Sequence, residues 1–319
     1  MPGVWRLRLP LPWPGVPHGN AWALAAGDGI VLVDTGMHEP GSLAHLERAL
    51  HQVDLSLDHV RLVVCTHAHA DHYGQAAPII DRAGCELWMH PRHEHARRAL
   101  ADPEATAARR FEVALQSGVP LEAIERFRAA RGDPRPGVER WVEPARDLVP
   151  GVTVWTDLGE WQVIETPGHA PSHVCLHQPE HGLLVSGDHL LGRVSLYYDV
   201  GWTPDPAGEF LASLDAVDAL DAGLCLPGHA RPFRDVRAHI DANRALVAER
   251  LQALEDALAE GERSAYELVP AVHGQELPPM ALGWWLPETL AYLTHLERTG
   301  RARRISGPDD EPEHWAPAA

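Results

Sequence analysis

The sequence predicts an α/β protein, and three observations carry that expectation. Short apolar runs of strand length alternate with segments of helical spacing. Four of those apolar runs end directly on histidine or aspartate next to glycine or threonine. Beyond residue 235 a long helical stretch leads into a unit of different character. A chain of 319 residues is long enough for one large domain and a small second one.

The first strand pair is expected within residues 20–36, where two apolar runs flank Gly27-Asp28-Gly29, a hairpin signal. The second run, Ile30 to Val33, is wholly apolar and should be buried on both faces. Leu43, Leu46 and Leu50 give helical spacing over 40–52. Val60–Cys65 reads as another buried strand, 74–84 as a helix and Glu86–Met89 as a strand. Residues 92–136 are rich in Ala, Arg and Glu and predict a helical insertion of two or three helices. Strands resume at Val152–Trp155, Trp161–Glu165, Val174–His177 and Leu183–Ser186. A helix is expected at Ala207–Leu220, a strand at Leu224–Leu226 and a long helix at about 235–260. Ser264 with Glu267 three residues on is a capping-box pattern for a helix over Ser264–Val269. Leu286–Thr299 predicts a second helix, residues 300–305 a short wing or strand, and residues 307–319 a disordered tail.

Composition narrows the function classes. No apolar run reaches the ~20 residues that span a bilayer, and the N-terminus lacks a signal-peptide pattern, so a cytoplasmic protein without membrane contact is expected. The formal net charge is −18, with 45 acidic residues against 27 basic ones, and every basic one is arginine. Such a surface disfavours nucleic acid as a partner. The four cysteines, Cys65, Cys85, Cys175 and Cys225, form no C-x-x-C pair and read as small core residues.

The 21 histidines are the informative count, and their spacing is more informative still. Thr66-His67-Ala68-His69-Ala70-Asp71-His72 follows the strand ending at Cys65. His67 and His69, two apart in extended backbone, point the same way. Asp71 and His72 fall at a helix start, so one loop offers ligands to two neighbouring metals. Imidazole with carboxylate suits Zn²⁺, and also Fe or Mn. Three further strand ends carry Pro167-Gly168-His169, Gly187-Asp188-His189 and Pro227-Gly228-His229. Ligands at separate strand ends converge on one crevice, and a carboxylate such as Asp188 suits a bridging position.

Asp34-Thr35-Gly36, the His67-x-His69-x-Asp71-His72 run, His169, Asp188 and His229 stand in the order of the five motifs of the metallo-β-lactamase superfamily, which the chain resembles over about residues 16–235. The resemblance implies a four-layer αββα sandwich as the catalytic domain (1–235), with the helical insertion at 92–136. It implies that His67, His69 and His169 bind one metal, that Asp71, His72 and His229 bind a second, and that Asp188 bridges them. Asp34 would orient the ligand loop. His173 and His189 are expected as supporting donors beside the ligands, and Tyr197 and Tyr198, after the bridging aspartate, as substrate contacts. Asp71 and Asp188 are the expected catalytic carboxylates, Asp71 as proton shuttle.

Leu251–Ile305, with Glu288-Thr289-Leu290-Ala291-Tyr292-Leu293, resembles the winged helix of one branch of that superfamily. The branch contains hydroxyacylglutathione-hydrolase-like members and an RNA-cleaving member. Residues 236–306 are therefore expected to be a linker helix and winged-helix domain. From residue 238 onward seven arginines face fourteen acidic residues, which points to packing or homodimer formation rather than nucleic-acid binding. Leu290, Leu293 and the Trp284-Trp285 pair are the expected contacts. The function expected is a dinuclear-metal hydrolase whose metal-bridging hydroxide attacks a small acyl substrate, a thioester or ester. The alternatives are a phosphodiesterase or ribonuclease acting on single-stranded RNA, and a non-enzymatic binding module on a retained fold.

Overall fold

The computed structural model describes residues 1–13, 15–131, 137–193, 196–306 and 311–318. Two sheets face each other. The first has the order β1 (Val4–Trp13), β2 (Val16–Ala26), β3 (Gly29–Val33), β4 (Val60–Cys65), β5 (Glu86–Met89), β6 (Arg146–Asp147). Pairing is antiparallel from β1 to β3 and parallel from β3 to β6. The second has β7 (Thr153–Thr156), β8 (Gly159–Glu165), β9 (Val174–Gln178), β10 (Leu183–Gly187) and β11 (Leu224–Pro227), antiparallel except for β10 with β11.

Between the sheets lies an apolar layer in which Trp22, Leu24, Val31, Val33 and Val64 meet Trp161, Val163, Val174, Leu176 and Val185. This is why the β3 and β4 runs are apolar throughout: both faces are covered. The outer face of the first sheet is closed by α1 (Ser42–His51) and α3 (Ala76–Ala83), which bury Leu46, Leu50 and Ile79 against Leu7, Leu9, Ile30 and Val63. A single turn of helix, α2 (Ala70–Tyr73), precedes α3. The outer face of the second sheet is covered by α7 (Pro206–Asp218) and α8 (Val236–Ala259). The four layers thus run helix, sheet, sheet, helix.

The insertion forms three helices, α4 (Glu94–Ala101), α5 (Pro103–Gln116) and α6 (Leu121–Arg131); its expected residues 132–136 lie outside the described ones. The C-terminal unit holds β12 (Arg263–Ser264), α9 (Ala265–His273), α10 (Leu282–Arg298), β13 (Ala302–Ile305) and β14 (His314–Pro317), with sheet order β12-β14-β13. The capping box at α9 is formed: Ser264 N–H donates to Glu267 Oε2 at 2.8 Å, and Ser264 Oγ accepts from Glu267 N–H at 3.3 Å.

Three expectations are corrected. The leading strand β1 is not among the expected elements, although Leu7, Leu9 and Leu11 alternate with Arg6, Arg8, Pro10 and Pro12. Prolines argue against a central strand, but β1 is an edge, where they are tolerated. Residues 314–317 of the expected disordered tail form β14, because Trp315 is buried in the core beneath α8; residues 307–310 and 319 lie outside the described ones. Leu290 and Leu293 are buried as expected and Trp285 stacks on His273 at 4.4 Å, but Trp284 is turned outward, 42% exposed.

One core runs without a break from the second sheet into the C-terminal unit. Cys175, Leu184, Phe210 and Val217 share it with Ala114 and Ile124 of the insertion, and with Val247, Leu268, Tyr292 and Trp315. Backbone bonds join the same parts: Tyr266 N–H donates to Ser117 O at 2.9 Å and Glu313 N–H to Gln116 O at 2.7 Å.

Candidate metal centre

The ends of β4, β8, β10 and β11 open onto one crevice. Asp34, just past β3, holds the ligand loop in place. Its carboxylate accepts from Thr66 N–H at 2.8 Å, from the Thr66 hydroxyl at 2.9 Å and from His72 Nδ1–H at 2.8 Å. To do so it adopts a left-handed φ of 63°, a strained conformation for a non-glycine residue. Thr35 adds two donors, its N–H and its hydroxyl, to the His72 carbonyl at 2.7 and 2.8 Å.

Two ligand groups result. In the first, His67 Nε2 lies 3.0 Å and His169 Nε2 lies 2.9 Å from His69 Nδ1. The outward nitrogen of each ring already has a partner. His67 Nδ1 meets Thr66 Oγ1 at 3.1 Å, His169 Nδ1 meets the Tyr197 carbonyl at 3.1 Å, and His69 Nε2 meets Asp199 Oδ2 at 2.8 Å. With protons on those outer atoms, three lone pairs face one another. In the second group His72 Nε2 lies 3.4 Å from Asp71 Oδ2 and 3.3 Å from Asp188 Oδ1. His229 Nε2 lies 3.1 Å from Asp71 Oδ2 and 3.2 Å from Asp188 Oδ2. The outer nitrogens are again partnered, by Asp34 and by the His18 carbonyl at 3.1 Å. Asp188 also reaches the first group, 3.8 Å from His169 Nε2.

The donor set fits a pair of divalent cations. Inward lone pairs without protons between them, and two buried carboxylates, form a cage that a cation would stabilise. His72 Nε2 and Asp188 Oδ1 are buried in it without a hydrogen-bond partner. Burial opposes the charged form of His229, but the Asp188 and Asp71 carboxylates outweigh it and push the imidazole up to about 10. Burial likewise opposes ionised Asp188, and His229 and His72 hold it well below the usual carboxylate range. In the first group burial dominates at two rings: His169 is pushed down to about 4 by burial and by His69, and His67 well down by burial and by His72, whereas at His69 burial is outweighed by the Asp199 carboxylate, which pushes the imidazole up.

Close backbone packing sets the cage. A Cβ on Gly228 would run into Asp188 Oδ1 and come 2.7 Å from His72 Cε1; one on Gly187 would come 2.6 Å from His173 Nε2 and 2.8 Å from Thr66 Oγ1. Only glycine allows strands β10 and β11 to approach the ligands this way.

His173 takes the Asp188 N–H on its Nε2 at 3.0 Å, so its proton sits on Nδ1, facing Thr166 Oγ1 at 2.7 Å. It therefore orients the backbone of Asp188. His189 is buried against Phe210, ring centroids 5.1 Å apart, and points away from the cage into the core, pushed down to about 3 by burial and by His169. Tyr197 lies edge-on to His69 and His169 at 5.8 and 5.6 Å. Tyr198, expected at the substrate, is instead fully buried between Phe210 and Tyr292, its ring edge-on to both.

Asp199, which the sequence marks only as part of a pocket-lining Tyr197-Tyr198-Asp199 stretch, holds a ligand from behind. It accepts from His69 and from the Tyr197 hydroxyl at 3.2 Å, its N–H donates to the His169 carbonyl at 3.0 Å, and His95 Nε2 lies 3.7 Å from it. His69, His95 and Asp199 form a third cluster of ligand-type side chains. Its sequence signal is only its place two residues beyond Tyr197, in a segment without strand or helix pattern.

A family profile described as Metallo-beta-lactamase superfamily matches residues 14–229. The Bacillus subtilis protein called "Probable metallo-hydrolase YqjP" is 28% identical over 80% of this chain and 82% of its own. An Aspergillus fumigatus protein named atrochrysone carboxyl ACP thioesterase is 23% identical over 88% of this chain and 57% of its own. Two crystal structures match over nearly the whole length. A metallo-beta-lactamase family protein of Thermus thermophilus has 29% identity and a TM-score of 0.83 over 99% of each chain. A beta-lactamase domain protein of Burkholderia ambifaria has 30% identity and a TM-score of 0.83 over 100% of this chain and 92% of that one. The C-terminal unit thus belongs to the shared architecture. No helix among the described residues is long and apolar enough to cross a membrane.

Proposed function

The chain belongs to the metallo-beta-lactamase superfamily, and from that premise we propose that it is a dinuclear-metal hydrolase acting on a small acyl substrate, a thioester before an oxygen ester. Membership implies divalent metal binding; zinc is the metal this donor set favours, with iron or manganese as alternatives. The observation that carries the proposal is the convergence of His67, His69 and His169 beside Asp71, His72, Asp188 and His229, with Asp188 within reach of both groups. When bound, the metals would supply Lewis acidity toward the scissile oxygen and lower the pKa of an attacking water. Asp188 would hold the two sites together. Asp71, with Oδ2 at the rim of the second group, would take the proton released from the nucleophile. Asp34 and Asp199 would keep the imidazoles turned inward.

The thioester reading draws support from the thioesterase name carried by one relative and from the net charge of −18, which opposes a polyanionic substrate. The C-terminal unit we read as a winged helix. One long helix, the short strand β12, two helices and a two-stranded wing of β13 and β14, joined in a sheet of order β12-β14-β13, support this. Its acidity and its shared core with the second sheet favour a packing role.

The test is a panel of thioesters, lactones, phosphodiesters and single-stranded RNA, assayed on protein whose metal content has been measured. About two metal ions per chain and metal-dependent thioester cleavage are expected. A content that never exceeds one ion after full loading would remove the dinuclear reading. RNA cleavage that weakens steeply with salt, alongside negligible thioester turnover, would replace the substrate class.

A further inference from the structure

Beside the metal groups lies a concentration of positive charge that no carboxylate answers among the described residues. Arg6 and Arg8 occupy one face of β1, while Leu7 and Leu9 between and beyond them turn to the core. Arg6 Nε donates to Asn20 Oδ1 at 2.8 Å. Asn20 is itself buried and donates to the Pro227 and Ala230 carbonyls at 2.8 and 3.1 Å, tying Arg6 to the segment that carries His229. Arg8 Nη2 lies 3.2 Å from His18 Nδ1. Arg231 stands two residues beyond His229 and acts on Arg6 as a like charge.

Burial and the neighbouring Arg8 and Arg231 push Arg6 down, and no carboxylate is among the charges acting on it. Three arginines elsewhere show the contrast. Arg61 pairs with Asp28 at 3.1 Å, Arg244 with Asp218 at 3.1 Å, and Arg301 with Glu255, and all three are pushed upward. In a chain with 45 acidic residues for 27 arginines, gathering three arginines and a histidine without one acid is unfavourable for the protein alone. An anionic ligand would reverse the sign.

The place of the cluster says which ligand. The His18 carbonyl receives the His229 Nδ1–H, and Gly19 pairs with His229 across an isolated bridge. Arg8 is one residue, about 3.4 Å of strand, from Leu9, the partner of Gly19. The cluster thus flanks the segment that carries His229, on the side of the second ligand group.

We propose that Arg6, Arg8, His18 and Arg231 form an anion subsite that grips a phosphate or carboxylate on the thiol arm of the substrate while the acyl group lies at the metal centre. Guanidinium forks match both oxyanions. The inference rests on the thioester reading and specifies its substrate as one with a charged carrier arm.

The test compares three thioesters on the metal-loaded full chain: acetyl-coenzyme A for a phosphate arm, S-lactoylglutathione for a carboxylate arm and S-acetyl-N-acetylcysteamine as the neutral control. The Arg6→Gln/Arg8→Gln double variant should raise KM for at least one charged substrate by about tenfold or more, leave kcat near wild type and leave the neutral substrate unchanged. Arg231→Gln, on a loop and free of strand packing, should shift KM the same way by less. The charged substrate that responds identifies the arm. Calorimetry with the uncleavable S-ethyl thioethers of coenzyme A and glutathione reads binding without turnover, and the variants should weaken it. If no thioester is cleaved yet thioether binding falls in the variants, the catalytic reading fails and the subsite stands. If thioesters are cleaved but the variants affect charged and neutral substrates alike, or none, the subsite is wrong. It is equally wrong if wild type binds neither thioether.

Discussion

The imidazole ligands are held from behind by carboxylate, hydroxyl or carbonyl oxygens, while Asp188 and His173 serve the cage in different ways that predict unequal costs. Asp188 contributes charge: it faces His72, His229 and His169 within 3.3, 3.2 and 3.8 Å. His173 contributes only orientation, through one bond to the Asp188 N–H. Asp188→Ala should therefore bring metal content well below that of wild type and abolish hydrolysis, because the cations lose a shared neutralising group. His173→Ala should keep most of the metal and lose activity by about tenfold to a hundredfold, the usual scale for an orienting partner. Elemental analysis beside steady-state kinetics on both variants checks the order. Equal loss in the two would mean that His173 does more than orient. The ligand residues could be picked out in the sequence because each run of metal-type side chains follows a strand end and begins beside glycine or threonine. The hold of Asp199 on His69 could not, because it depends on a segment folding back from 130 positions away, and nothing local in Tyr197-Tyr198-Asp199 specifies that return.

At the scale of elements, what the sequence disclosed divides along the same line. Buried strands such as β3 and β4 declare themselves by unbroken apolar runs, and α9 by its capping box, because those signals are local. The edge strand β1 and the late strand β14 owe their form to partners far along the chain. Trp315 needs the groove of the C-terminal core before residues 314–317 have a reason to be extended. The segment 197–205 shows the consequence for the site. Tyr197 and Asp199 hold His169 and His69, while Tyr198 between them is seated against Phe210 and Tyr292, and Asp205 accepts from His295 of α10 at 2.9 Å. The core thus anchors the strap that turns two imidazoles inward. Tyr198→Ala should cost about 3–5 kcal/mol of stability as a buried aromatic is truncated, and should also weaken metal retention in the first group. Tyr198→Phe keeps the ring and should leave both near wild type. Denaturant titration with a parallel chelator competition separates the effects: a destabilised Ala variant that holds its metals as firmly as wild type would show that the strap does not depend on this anchor.

The whole molecule buries imidazoles far beyond those at the metal centre, and this sets how it should respond to acid. His177, on β9, has both ring nitrogens buried without a hydrogen-bond partner, and burial pushes it below its ordinary 6.5. His95, pushed down to about 4 by burial against the pull of Asp199, follows the same rule near the crevice. A group whose folded pKa is depressed contributes stability that is fully present above its unfolded value. Above about pH 6.5 both folded and unfolded chains carry neutral His177, and nothing is gained or lost. As pH falls below that value the unfolded chain binds a proton that the folded chain resists, so stability declines until the folded pKa is passed. Because one core joins the second sheet, the insertion and the C-terminal unit, the loss should appear as a single cooperative transition moving to lower temperature, rather than as the release of one part. Metal ligands add their own acid sensitivity, so the comparison has to be made within one metal state. Melting curves of the metal-free full chain between about pH 7.5 and pH 5 should show a falling Tm for wild type. His177→Leu, which keeps the site apolar and removes the proton, should fall less steeply. Parallel slopes for the two proteins would mean that His177 is neutral in neither state's favour and that the acid response arises elsewhere.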